Sequence, residues 1–457
     1  MNSATNLPSE RLPFRTKLIY GFGDWGNTTT TTIFAFFFAF FLTDIAHLPP
    51  VYAAPVLLVG GIWDAINDPL VGILSDRMRS RWGRRRPFFL FGAIPFALTF
   101  IMLWWVPPFE SIAAKAIYYT FAYILWDTCF TLVCVPYEAL TPELSEDYDE
   151  RTRLTGYRMA VSMGGGMIAA IVVPLITDAF VRKPDGYLLM AVIFGLLAAV
   201  PYLLLFFNTK ERYSATPLTE LNILKAFKQT MSNRPFRFAA GIYLTAWVTV
   251  ALVTALFQYY VTYWLKQPDS LAMFLGLIQG SALIGVPIMV KLSDKLEKRM
   301  AYFIGMAWWI VCMLMLAVMP SDATTFAIIL AAVVGPGIAA AHVIPWSIVP
   351  DVIEADELAT GERREGAYYG FLVFIQKTGS AVTLAAMQLV LGATGYVADQ
   401  PQNDGTLLAI RLMIGLVPAV LLSASIWFAW KYPITKAQHA EMRTALAAKR
   451  LKDEHPT

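Results

Sequence analysis

Charge is what this sequence has least of. Lys, Arg, Asp and Glu make up 15% of the 457 residues, against about 25% in soluble domains. With 57% hydrophobic residues and a mean hydropathy of +0.54, a soluble fold could not cover its own apolar surface. Cysteine is scarce too: Cys129, Cys134 and Cys312 all lie in apolar runs, so there is no disulfide framework and no zinc-ligand spacing. Neither a metal-ligand cluster nor a nucleophile motif is present, which argues against an enzyme and a cofactor. The net charge of +3 has no dominant sign, and no nucleic-acid partner is expected. The polar start MNSATNLPSERLPFRTK lacks a cleavable signal pattern. The first apolar segment must therefore direct membrane insertion itself.

What is there is a succession of apolar runs. A bilayer-spanning helix needs about 20 apolar residues. Such runs lie near 18–44, 51–75, 87–106, 112–140, 155–178, 186–207, 237–264, 271–293, 300–319, 323–348, 366–393 and 405–431. The expected fold class is an all-α membrane protein with twelve transmembrane helices. The polar, basic segment 208–236 reads as a cytoplasmic linker between an N-terminal six-helix half, 1–207, and a C-terminal one, 237–431. Its LNILKAFKQTM portion suits a short interfacial helix. A tail, 432–457, follows. Basic residues precede the first span and follow the second, so both termini are expected in the cytoplasm. Trp104, Trp105, Trp308 and Trp309 read as interfacial belts.

The two halves echo one another. ILSDRMRSR (73–81) returns as KLSDKLEKR (291–299), and VPYEALTPEL (135–144) as IPWSIVPDV (344–352). The offsets, 218 from Asp76 to Asp294 and 209 from Pro136 to Pro345, nearly agree. Two paired landmarks imply homologous halves, the parallel-repeat plan of the major facilitator fold.

The chemistry is concentrated in WDAINDPLVGILSDRMRSRWGRRRP. Asp64, Asn67 and Asp68 stand at i, i+3 and i+4, on one helical face. An acid at hydrocarbon depth costs at least about 2.5–3.5 kcal/mol, so it faces a bundle interior or a watery path. A lone acid would suit a structural ion pair. Two acids and an amide on one face suit a coupling-cation site better. The eighth span carries no such acids, so one half alone received the site. Asp127, Thr131 and Cys134 recur at helical spacing in the fourth span, and Pro136 and Pro142 are expected to bend or break it. Asp24 lies near the cytoplasmic end of the first span, where solvation or an Arg partner is as good a reading as a substrate role. Arg158 falls at the start of the fifth span and calls for a buried partner. The dense charges of SEDYDERTRLTGYR read mostly as a solvated loop. Lys377, mid-span in the eleventh, has Asp64 and Asp68 as natural counter-charges. His342 reads as a satisfied core residue.

WDAINDPLVG with RSRWGRRRP, together with YGFGDWGN, AYILWDTCFT, PYEALTPELSEDYDERTRLTGYR and IQKTGSA, resembles the glycoside–pentoside–hexuronide:cation symporters along the whole chain. The resemblance implies a secondary active transporter of the bacterial inner membrane. It would carry a glycoside, pentose or hexuronide with Na⁺, or with H⁺ or Li⁺, and work as a monomer. It also implies a Na⁺ site at Asp64, Asn67, Asp68 and Thr131, with Lys377 and Arg158 as coupling and charge-pair residues. The family's galactoside pocket is not kept: its acids fall on Thr28 and Cys134, and its tryptophan on Glu138. Asp24, Thr28, Asp127, Cys134, Glu138 and Trp346 are the candidate substrate contacts. The VPYEALT…TGYRM segment is similar to the animal sodium-dependent lysophosphatidylcholine symporter, so a lysophospholipid or other amphiphile is the alternative cargo.

Overall fold

The computed structural model describes residues 12–145, 147–209, 211, 223–362, 364–435, 438–439 and 441–446. Among them there is no strand. The helices are α1 Phe14–Phe40, α2 Pro50–Arg77, α3 Arg86–Leu103, α4 Ile112–Glu138, α5 Thr141–Leu144, α6 Tyr148–Asp178, α7 Lys183–Asn208, α8 Ile223–Ser232 and α9 Arg234–Tyr259. They continue as α10 Leu271–Leu296, α11 Lys298–Val318, α12 Thr324–Val333, α13 Gly335–Thr360, α14 Glu365–Ala393, α15 Asp404–Arg411 and α16 Val417–Lys431. Twelve helical segments among the described residues are long and apolar enough to cross a membrane. The chain forms two compact units, residues 1–217 with 269–273, and 218–268 with 274–457.

Local chemistry explains the element boundaries. In α1 the hydroxyls of Thr29, Thr30 and Thr31 donate to the carbonyls of Trp25, Gly26 and Asn27 at 2.7–2.8 Å. The threonine run thereby satisfies itself within its own helix. The fifth span begins at Tyr148, not near 155. Asp147 caps it, accepting from the Glu150 amide at 2.9 Å, and Asp149 and Glu150 fill the first turn, where the helix dipole favours acids. The charged stretch read as a solvated loop is thus largely helix, and Arg158 lies about three turns inside it. The fourth span ends at Glu138, with Pro142 opening the four-residue α5.

The tenth span, expected as one helix over 323–348, is broken into α12 and α13 and runs on to Thr360. At the break Gly335 lies on the α10 backbone: a Cβ there would stand 1.9 Å from the Ser281 carbonyl oxygen. Gly361, at φ 78°, closes α13 by returning its N–H to the Glu357 carbonyl at 2.8 Å. Gly335→Ala must push α10 and α13 apart and is expected to cost about 1–3 kcal/mol. Gly370→Ala, with nothing within 4 Å and inside a helix, is the reference and should gain up to about 1 kcal/mol. Apparent melting temperatures of the two variants in detergent check this; an equal response would contradict the close approach.

Trp104 and Trp309 are not belt residues. They are 0% and 1% exposed, whereas Trp105 and Trp308 are 41% and 42% exposed. Neighbours in sequence point about 100° apart on a helix, so one of each pair turns inward. Trp104 stacks on Tyr187 at 5.8 Å and meets Phe38 and Phe41. The expected linker 208–236 contains α8, and α9 starts at Arg234 behind an Asn233 cap. Residues 1–11, 210, 212–222 and 447–457, within the expected N-terminal end, linker and tail, lie outside the described residues.

Candidate functional site

The first unit holds the site at the packing of α2 on α4. Gly60 lets the two helices approach, since a Cβ there would meet the Tyr123 ring at 1.9 Å. Below that contact runs a ladder of polar pairs. Trp63 Nε1 donates to Thr128 Oγ1 at 2.9 Å. Asn67 Nδ2 donates to Asp127, to Oδ2 at 3.2 Å and to the carbonyl at 3.4 Å. Thr131 Oγ1 donates to Asp68 Oδ1 at 3.3 Å. Asn67, Asp127 and Thr131 are buried, and Asp64 and Asp68 are half-buried. Asp64 and Asp127 both face Tyr123 electrostatically. With its amino group turned to Asp127, Asn67 presents Oδ1 as its remaining polar atom.

These donors are all oxygen: two carboxylates, an amide carbonyl and a hydroxyl. That set suits a hard cation. Among the described residues no three of His, Cys, Asp and Glu gather as metal ligands. Asp127, one of the candidate substrate contacts on sequence grounds, accepts from Asn67. Its i−60 partnership has no signature along the chain.

A second polar group joins α1, α4 and α6. Asp24, 5% exposed, accepts from Asn27 Nδ2 at 3.2 Å and from Thr28 Oγ1 at 3.3 Å. Thr28 Oγ1 also lies 2.7 Å from Ser162 Oγ. The guanidinium of Arg158 faces the charges of Glu138 and Asp24 and the hydroxyls of Tyr20 and Tyr137. Its Nε is enclosed without a hydrogen-bond partner. Cys134, 5% exposed, faces the charges of Glu138 and Asp24 and sits 3.3 Å from the Tyr202 hydroxyl on α7. Trp346 and Lys377 belong to the second unit. Trp346 is 38% exposed, meets Tyr243 edge-on at 5.3 Å and stacks on Tyr369 at 6.0 Å. Lys377 is half-buried.

The loop of arginines has partners that sequence reading missed. Glu143 accepts from Arg85 Nε at 2.7 Å and also pairs with Arg84. Asp76 lies 3.5 Å from Arg85. Glu211 receives three successive backbone amides, of Arg84, Arg85 and Arg86, at 2.6–2.8 Å. Gly83, at φ 107°, makes room for that carboxylate, which a Cβ would meet at 2.8 Å. Burial by itself disfavours the Arg84 charge, but the hydrogen bond and charge of Glu143, with Asp76 and Glu211, hold its pKa above the ordinary value. In the second unit the matching landmarks end the same way. Asp351 pairs with Lys298 at 3.0 Å, and His439 of the tail reaches Glu354 at 3.0 Å. The acid directly after the second proline of each landmark, Glu143 after Pro142 and Asp351 after Pro350, was the available signal.

Comparison with known proteins identifies the family. The family described as MFS/sugar transport protein matches residues 19–436. An uncharacterized symporter of Synechocystis sp. is 34% identical over 97% of this chain and 98% of its own. The sodium-dependent lysophosphatidylcholine symporter 1-A of Danio rerio is 27% identical over 92% of this chain and 85% of its own. Among solved structures, an inward-open xylose transporter from E. coli superposes with a TM-score of 0.64 at 14% identity, covering 94% of this chain and 99% of that one.

Proposed function

The chain belongs to the MFS/sugar transport protein family, and from that premise we propose that this symporter couples the entry of a sugar or glycoside to Na⁺ through the α2–α4 ladder. It is a membrane transporter, not an enzyme. Its cargo is a small molecule and its surroundings are a lipid bilayer. The observation that supports cation coupling is the contact of Thr131 with Asp68 next to that of Asn67 with Asp127. It gathers oxygen atoms on carboxylates that hydrocarbon would otherwise penalise.

In this reading Asp64, Asn67, Asp68 and Thr131 bind the ion, and Asp127 orients the Asn67 amide so that its oxygen faces the ion. Asp24, Thr28, Glu138 and Arg158 offer a polar surface to the cargo. Lys377 and Arg158 are the coupling residues, Lys377 from the second unit. Cation and cargo raise each other's affinity by the same factor, as linkage requires, and cross by alternating access. H⁺ could use the same acids, and Li⁺ the same oxygens. The protein works as a monomer in a bacterial plasma membrane, with the arginine-rich ends on the cytoplasmic side. A lysophospholipid is the second cargo reading. It is favoured by the 27% identity to the Danio rerio symporter.

The test is uptake into proteoliposomes of radiolabelled glycosides and of lysophosphatidylcholine under an inward Na⁺ gradient, an inward H⁺ gradient, or neither. Concentrative uptake under the Na⁺ gradient alone is expected. Equal uptake under all three conditions would remove the cation from the mechanism.

A further inference from the structure

The turn between α2 and α3 holds more positive charge than its partners offset. Six arginines lie between Arg77 and Arg86. Against them the described residues set three carboxylates, Asp76, Glu143 and Glu211. Arg84 and Arg85 share Glu143 and Asp76. Arg86 is fixed by donating to the Trp82 carbonyl at 3.2 Å and to the Phe206 carbonyl at 2.6 Å. The excess belongs to Arg77, Arg79 and Arg81, which are exposed.

Local structure presents the last of these beside an apolar surface. Ser80 closes the turn: its Oγ accepts from the Trp82 amide at 3.1 Å and donates to the Gly83 carbonyl at 2.6 Å. The Arg81 guanidinium lies 4.3 Å from the centre of the Trp82 ring. That ring meets Phe91 of α3 at 5.9 Å and Phe206 of α7 at 6.2 Å, so it covers the end of the α3–α7 packing. Phe91, Ile94 and Leu98 share one face of α3, and Val200, Leu204 and Phe207 one face of α7. All six are exposed, Phe91 at 62% and Phe207 at 71%. Both helices are long and apolar enough to cross a membrane, where such faces meet acyl chains. Tryptophan stands at headgroup level in a bilayer, and here it carries an arginine on its ring.

We propose that Arg81 and Trp82, with Arg77 and Arg79 behind them, form the headgroup site of an anionic phospholipid whose acyl chains lie on the exposed faces of α3 and α7. The guanidinium fork matches two phosphate oxygens at once. Arg77 and Arg79 precede Arg81 by four and two residues, at most about 14 Å of chain, so at low ionic strength their charge reaches the same phosphate. A zwitterionic headgroup brings a cation of its own into this excess and gains less. Neither cargo nor coupling cation takes part.

The test titrates the full chain in detergent, at low ionic strength and without Na⁺ or cargo, with dioleoyl phosphatidylglycerol or dioleoyl phosphatidylcholine. Native mass spectrometry counts the bound lipid. The outcome is therefore separate from the symporter reading. Each arginine beside an anionic headgroup contributes about fivefold in affinity. Arg81→Gln should weaken phosphatidylglycerol by about that factor, and Arg77→Gln, Arg79→Gln and Arg81→Gln combined by about a hundredfold. Wild type should bind phosphatidylglycerol about tenfold or more tightly than phosphatidylcholine. The control is Arg182→Gln at the turn between α6 and α7, an arginine whose side chain is 80% exposed, and it should bind as wild type does. If the triple variant does not insert, Arg81→Gln alone carries the readout. Equal affinity of wild type for the two lipids overturns the site, and so does an unchanged affinity in Arg81→Gln. An equal loss in Arg182→Gln would reduce the effect to general surface charge and overturn it as well. Displacement of phosphatidylglycerol by inorganic phosphate would make this a free-anion site and not a lipid site.

Discussion

Asp68→Asn is expected to abolish Na⁺-driven accumulation while the protein still inserts and still exchanges cargo down its gradient. The asparagine keeps the size of the side chain and one oxygen for Thr131 Oγ1, now 3.3 Å from Asp68 Oδ1. What it removes is one of the two formal charges of the proposed cation site. Losing a mere supporting partner of a metal ligand costs about 10–100-fold in affinity, and loss of the ligand itself should be at least as large. Two measurements check it. The Na⁺ gradient should no longer concentrate cargo in proteoliposomes, and Na⁺ should no longer raise the apparent melting temperature, because stabilisation by a ligand scales with its concentration over Kd. Counterflow without a Na⁺ gradient should persist. Full gradient-driven uptake by Asp68→Asn would show that the ladder holds α2 to α4 and does nothing more.

The largest stability effect is expected at the other end of α2. Glu143→Ala would strip Arg84 and Arg85 of the carboxylate they share. Glu143 and Arg85 are 8% and 6% exposed, so water cannot take over. Breaking a buried pair from one side costs about 3–5 kcal/mol. Asp76, at 3.5 Å from Arg85, softens the loss without replacing the 2.7 Å bond. Glu143→Gln, which keeps a hydrogen-bonding oxygen and drops the charge, should fall between. The reference is Asp185→Ala, whose Arg182 partner stands 3.6 Å away with both side chains largely exposed. Such a pair contributes about 0–1 kcal/mol. Apparent melting temperatures of the three variants in detergent should order as Glu143→Ala lowest, then Glu143→Gln, with Asp185→Ala near wild type. Equal losses at Glu143 and Asp185 would mean that burial does not govern the arginine cluster.

The sequence by itself determined the membrane class, the helix count and the face shared by Asp64, Asn67 and Asp68. Each follows from composition and from a period of 3.6 residues, which are local properties. The ends of the helices were legible only in part. The α6 start moved to Tyr148 because an Asp147 cap outweighed the look of a charged loop, and the tenth span broke where Gly335 meets the α10 backbone. Tertiary structure alone decided which partners those faces meet: Asp127 with Asn67 at 60 residues' separation, Glu211 with the amides of Arg84, Arg85 and Arg86 at 125–127 residues' separation, and His342 with Trp247. It also decided which tryptophan of each pair turns inward. Periodicity fixes which side chains share a face. Which other face covers them depends on helix packing, where one missing Cβ, as at Gly60 or Gly335, sets the register, and such contacts leave no periodic trace along the chain.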